Sequence, residues 1–205
     1  MKALLKLIHF EIHRFRHILF GLMGLTALVQ IGATVLFAIG ERVERLSEYE
    51  NQAIVPGPVS VLEPLANNRG LYGFPVLICI VTLLLYVFLI WYREWFGKST
   101  LIYRLLMLPM PRRNIYLAKL AALLVFIGSL LALQLVLLLV IRAVFNAIVP
   151  DEYLVFAGLA DMINTSAVFQ ILLPLSLEFF VLFYWMGITC VLVLFTAVLL
   201  ERGRR

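Results

Sequence analysis

Hydrophobic residues in this chain come in long unbroken runs, not in the short alternation of a half-buried strand. Four stretches, 18–40, 71–92, 120–141 and 179–200, contain no charged residue at all. Each is close to the about 20 helical residues needed to cross roughly 30 Å of hydrocarbon. Inside a bilayer the backbone has no water to bond, so a continuous apolar run of this length must satisfy its own N–H and C=O groups as a helix. Strands of a membrane barrel would instead alternate in shorter segments. The pattern predicts an all-α, polytopic helical membrane protein, with residues 1–205 forming one transmembrane domain of about four spans.

Ahead of the first run the period changes. On a helical wheel Met1, Leu4, Leu5, Ile8, Ile12, Phe15 and Leu19 share one face, and Lys2, Lys6, His9, His13 and Arg16 the other. Residues 1–17 therefore read as an amphipathic helix lying in the membrane interface. Lys6, His9, Glu11 and His13 interrupt its apolar letters and no small-residue cleavage site follows, so it is not a signal peptide.

Composition supports the membrane reading: 63% of the 205 residues are hydrophobic and 14% charged, whereas soluble domains are about half apolar. Charge then sets an orientation. Lys2, Lys6, Arg14 and Arg16 precede the first run. Arg93, Lys98, Arg104, Arg112, Arg113 and Lys119 separate the second from the third, and Arg202, Arg204 and Arg205 end the chain. The opposite side carries only Arg42, Arg45, Arg69 and Arg142, among acidic neighbours. Because cationic loops resist translocation, both termini are expected in the cytoplasm. The net charge of +5 follows from this arrangement and from contact with anionic lipid headgroups, so nucleic acid is not an expected partner. Cys79 and Cys190 lie within predicted spans and, with three His, build neither an expected disulfide nor a metal cluster.

The outer connections are less regular. Residues 41–70 open as a short polar helix and break at "VPGPVSVLEP", an order expected to be partial. In the second connection "DEYLVFAGLADMIN" reads as a short surface helix at the membrane edge.

The inner loop, 93–119, concentrates charge, glycine, proline and aromatic residues. Its Gly97-Lys98-Ser99-Thr100 suggests a nucleotide-binding loop, but that motif needs a second glycine five residues earlier and a strand before it. Tyr92 stands there, at the end of a span. Ser99 or Thr100 is instead placed to cap a short helix over "TLIYRLLML", which Pro109 and Pro111 end. In order, Glu94, Gly97, Ser99 and Thr100, Leu105 and Leu106, Pro109, Arg112 and Arg113, and Lys119 resemble the cytoplasmic loop of ABC-2 type ABC transporter permease subunits. The N-terminal amphipathic segment is similar to the interfacial helix of that class.

The resemblance implies that this loop is the coupling helix gripped by a cytosolic ATP-binding subunit, which binds ATP and Mg, and that this chain is not itself an enzyme and holds no cofactor. Leu105, Leu106 and Leu108 then supply apolar contact, and Glu94, Arg104, Arg112 and Arg113 polar contact. Lys119 is expected to snorkel to the interface. With four spans where the class usually has six, the chain is expected to pair with itself or with a second permease in a bacterial cell membrane. The implied activity is export of an apolar or amphipathic compound: an antibiotic, peptide or lipid. A non-transporting membrane anchor or sensor that recruits a cytosolic partner is the alternative; an autonomous channel finds few pore-lining charges.

Within the spans, Thr26, Gln30 and Thr34 repeat every four residues and mark one face of the first helix. They read either as a helix-packing seam or as a substrate path. Glu178 falls at the outer boundary of the last span, an interfacial carboxylate at a candidate exit mouth.

Overall fold

The computed structural model describes residues 2–50, 58–96, 113–150 and 154–203. Four long helices dominate: α1 (Lys2–Glu50), α3 (Arg69–Phe96), α4 (Arg113–Ile148) and α7 (Leu177–Gly203). Between them lie β1 (Val59–Ser60), α2 (Leu62–Asn67), β2 (Leu154–Val155), α5 (Leu159–Thr165) and α6 (Ala167–Leu172). Among the described residues α1, α3 and α4 are each long and apolar enough to cross a membrane; in α7 the corresponding apolar stretch, Leu177–Val193, is shorter. The protein is thus an all-α membrane protein, its only described strands being the two-residue pair β1 and β2.

The helices outrun the apolar stretches that announced them. Polarity ends a bilayer crossing but does not end a helix; proline or a change of packing does. Pro150 closes α4 and Pro174 separates α6 from α7, whereas no proline occurs within α1. The expected interfacial helix over 1–17 is accordingly the first part of α1, continuous with the span. The inward face also differs from the helical-wheel expectation. Glu11, Phe15, Leu19, Leu22, Thr26, Gln30, Thr34 and Ala38 are buried at spacings of three and four, while Leu5 is exposed. One uninterrupted seam along α1 leaves no point at which a bend would bury more.

Along that seam α1 packs against α4 and α3. The partners Glu11–Lys119 and Gln30–Gln134 advance together along both chains, so α1 and α4 run parallel. Tyr72 meets Thr34, Cys79 meets Thr26 and Tyr86 meets Phe15, so α3 runs antiparallel to them. Toward the N-terminal end of α1 the rings of Phe15, Tyr86 and Phe126 cluster in tilted and edge-on contacts, with centroids 4.1, 4.9 and 5.8 Å apart, and join the three helices. Helix α7 is held more lightly: Tyr184 Oη donates to the Leu172 carbonyl at 2.7 Å, and most of its apolar side chains are exposed.

At the opposite end the connections that follow α1 and α4 fold together. Val59 and Ser60 pair in parallel register with Leu154 and Val155. Val59, Val61, Leu65, Met162, Ile163 and Phe169 are buried in one core with Tyr72, Leu138, Ile141 and Phe145 of α3 and α4. Gly73 admits the close approach of α6, since a Cβ there would lie 3.3 Å from Val168 Cγ2. The Gly158 N–H donates to Asp161 Oδ2 at 2.9 Å at the start of α5, and Arg142 stacks 4.3 Å over the Phe156 ring. The surface helix expected at the membrane edge is therefore α5, with Met162 and Ile163 turned into this cap. Neither connection has enough apolar residues for a core of its own; pooled on the ends of α3 and α4, they do.

Candidate functional site

Two groups of polar residues lie in the bundle, the first near the start of α4. Of the loop residues singled out from sequence, Gly97, Arg104, Leu105, Leu106, Leu108, Pro109 and Arg112 lie outside the described residues. Glu94 belongs to the last turns of α3, and Arg113 is the first residue of α4.

The first group stands two turns into α4. Lys119 Nζ donates to Glu11 Oε1 at 3.2 Å, and the two side chains are 1% and 7% exposed. Lys119 does not snorkel to the interface as expected. Its side chain is enclosed between α1 and α4, where a carboxylate at matching depth neutralises it. One to two turns further along lie Phe15 and Phe126, whose rings exclude water. Removing two charges from water costs several kcal/mol per ion, offset only by a close partner. Glu11 Oε2 has no hydrogen-bond partner among the described residues, so the Lys119 ammonium is the counter-charge on which this carboxylate depends. The ion pair joins the N-terminal part of α1 to the first turns of α4.

The second group is the stripe on α1. Gln30 and Gln134 exchange side-chain hydrogen bonds at 3.1 and 3.5 Å, and Gln30 Nε2 also donates to the Tyr72 carbonyl at 2.9 Å. Thr34 Oγ1 lies 2.8 Å from Tyr72 Oη and donates to the Gln30 carbonyl at 2.9 Å. Thr26 Oγ1 donates to the Leu22 carbonyl at 2.7 Å and lies 3.4 Å from Cys79 Sγ. All three residues are buried, and every contact ties α1 to itself, α3 or α4. In this conformation they form a polar seam between helices. The structure does not bring Glu178 to this seam: it is exposed in the first turn of α7, where the positive end of the helix dipole favours a carboxylate.

Sequence reasoning missed Glu11, Tyr72 and Gln134. A signal existed for two of them. Gln134 is the one side-chain amide in the run 120–141, and Glu11 is the one acid before the first run. Both are costly in an apolar setting unless paired, and Gln30 and Lys119 were the available partners. No protein-family model, curated protein or solved structure matches this chain.

Proposed function

We propose that this chain is a membrane permease subunit of an ABC transporter of the ABC-2 type. It moves an apolar or amphipathic compound across a bacterial cell membrane with ATP hydrolysed by a separate subunit. The observation that carries the reading is the ordered loop pattern from Glu94 to Lys119, with the way that loop is mounted. Helix α3 ends at Phe96 and α4 begins at Arg113, at the end of the bundle where Glu11–Lys119 and the Phe15, Tyr86 and Phe126 rings tie α1, α3 and α4 together. Force applied to the loop reaches three helices at once through close-packed, water-excluded contacts, which is what coupling to a nucleotide-driven partner requires. Exposed apolar residues along α3, among them Leu77, Val81, Leu84 and Phe88, suit lipid or a second permease copy.

The double charge reversal Arg112→Glu/Arg113→Glu is expected to abolish copurification of the ATP-binding subunit while leaving the chain in the membrane. An unchanged yield of that subunit, with ATPase stimulation intact, would remove these two arginines from the contact.

A further inference from the structure

Helix α7 does not close against the bundle along its length. Between it and α3 and α4 lies a cavity of about 260 Å³. An apolar cavity of roughly 150 Å³ is already enough to stay dry and accept benzene. Its long direction follows the helices. On α4 the lining runs from Leu123 to Gln134, about 16 Å of helix at 1.5 Å per residue.

The two ends differ in chemistry. Toward Leu123, Val87 and Val191 the walls are aliphatic; toward the cap stand Gln134, Tyr184 and the Thr26–Cys79 pair. Tyr184 Oη spends its proton on the Leu172 carbonyl, so its oxygen is left with lone pairs to accept a hydrogen bond. Ile80 and Leu84 belong to the lining and are themselves exposed, which puts an opening on the flank of helices that otherwise face the bilayer.

Gly187 supplies an independent observation. It lies within α7, where glycine costs about 1 kcal/mol relative to alanine, and it lines the cavity. A Cβ built there meets no atom within 4 Å. Gly187 is itself exposed, so its lack of a side chain serves no close helix approach and keeps the rim of the cavity clear.

We infer that this cavity is an intramembrane binding site for the hydrocarbon chain of a single-chain amphiphile such as a fatty acid held as the neutral carboxylic acid, whose O–H donates to Tyr184 Oη. The ligand enters from the bilayer between α3 and α7, with its tail along Leu123 and Val87 and its polar group toward Tyr184. The site has the length of a chain segment and no buried charge to demand an ionic ligand. Its polarity is confined to one end, as an amphiphile aligned with the membrane normal requires. That the bound amphiphile is also a transported substrate rests on the permease reading; occupancy of the cavity does not.

The test uses the full chain in lipid nanodiscs and palmitic acid carrying a diazirine near its methyl end, with crosslinked peptides identified by mass spectrometry. Labelling is expected on α3, α4 and α7 peptides that line the cavity, saturable and displaced by excess unlabelled palmitate. Gly187→Phe, whose ring obstructs the rim of the cavity, is expected to lose that saturable labelling. Gly128→Phe is the matched control, an exposed glycine on α4 outside the cavity lining with nothing near its Cβ, and is expected to retain it. Labelling spread over all exposed apolar faces and not displaced by palmitate would overturn the site and leave ordinary annular lipid. Equal labelling in the two variants would do the same. Because the readout needs no ATPase, saturable labelling in a chain that recruits no ATP-binding subunit would keep the site while the permease reading fell.

Discussion

Replacing Lys119 by methionine is expected to destabilise the bundle by about 3–5 kcal/mol, the usual cost of leaving one member of a buried ion pair without its counter-charge. The carboxylate left behind is 7% exposed and lies 3.2 Å from the Lys119 ammonium in the wild type. It is then left without its counter-charge between α1 and α4, beside the Phe15 and Phe126 rings. The double variant Glu11→Leu/Lys119→Met removes both charges at similar volume. It is expected to recover most of the loss, because a buried pair often contributes little net stability over well-packed apolar residues. Thermal unfolding of detergent-solubilised protein, compared across the wild type, both single variants and the double, checks this. Single and double variants of equal stability would mean that Lys119 reaches solvent and that the pair does not fix the start of α4.

The second large effect belongs to the seam. Gln30→Leu removes the amide that bonds both Gln134 and the Tyr72 carbonyl, and leaves the Gln134 side chain in an apolar interior. Interhelical hydrogen bonds in membranes average about 0.6 kcal/mol and reach about 1.7, since the separated helices also find partners. A loss of about 1–2 kcal/mol is expected for Gln30→Leu, and the double variant Gln30→Leu/Gln134→Leu should lose less than the sum of the two singles. Strict additivity in a double-mutant cycle would show that the two amides do not interact. Fully paired polar side chains also specify register: sliding α1 by one turn along α4 would leave both glutamines unpaired.

The long apolar runs were the legible part of the fold, because burial in hydrocarbon leaves few alternatives to a helix. The runs at 18–40, 71–92 and 120–141 lie inside α1, α3 and α4, and the run at 179–200 inside α7. Helix extent was not legible in the same way. The polar residues flanking the first run end the membrane crossing, yet α1 passes through them because neither proline nor a switch of packing face intervenes. The cap was hidden for another reason. Its core joins two connections distant in sequence, Val59 and Ser60 with Leu154 and Val155, and nothing local to either segment announces the other.

Charge told the same lesson at the other end. Taken alone, Lys119 at the edge of an apolar run reads as a snorkelling cation. Its partner is 108 residues away, and only the parallel packing of α1 and α4 brings the two to one depth. The stripe of Thr26, Gln30 and Thr34 was visible from its four-residue repeat, but the residues that face it, Tyr72, Cys79 and Gln134, follow from how three helices are arranged.

The central claim, that this chain is driven by a separate ATP-binding subunit, is tested most directly by purifying the tagged chain from its native membranes in mild detergent. The copurifying proteins are identified by mass spectrometry, and the eluate is assayed for ATPase activity. The account predicts an ATP-binding-cassette subunit in the eluate, together with two copies of this chain or one copy and a second permease, and ATP hydrolysis by the complex. An eluate with no such subunit and no ATPase activity, from membranes of cells that express one, would contradict it.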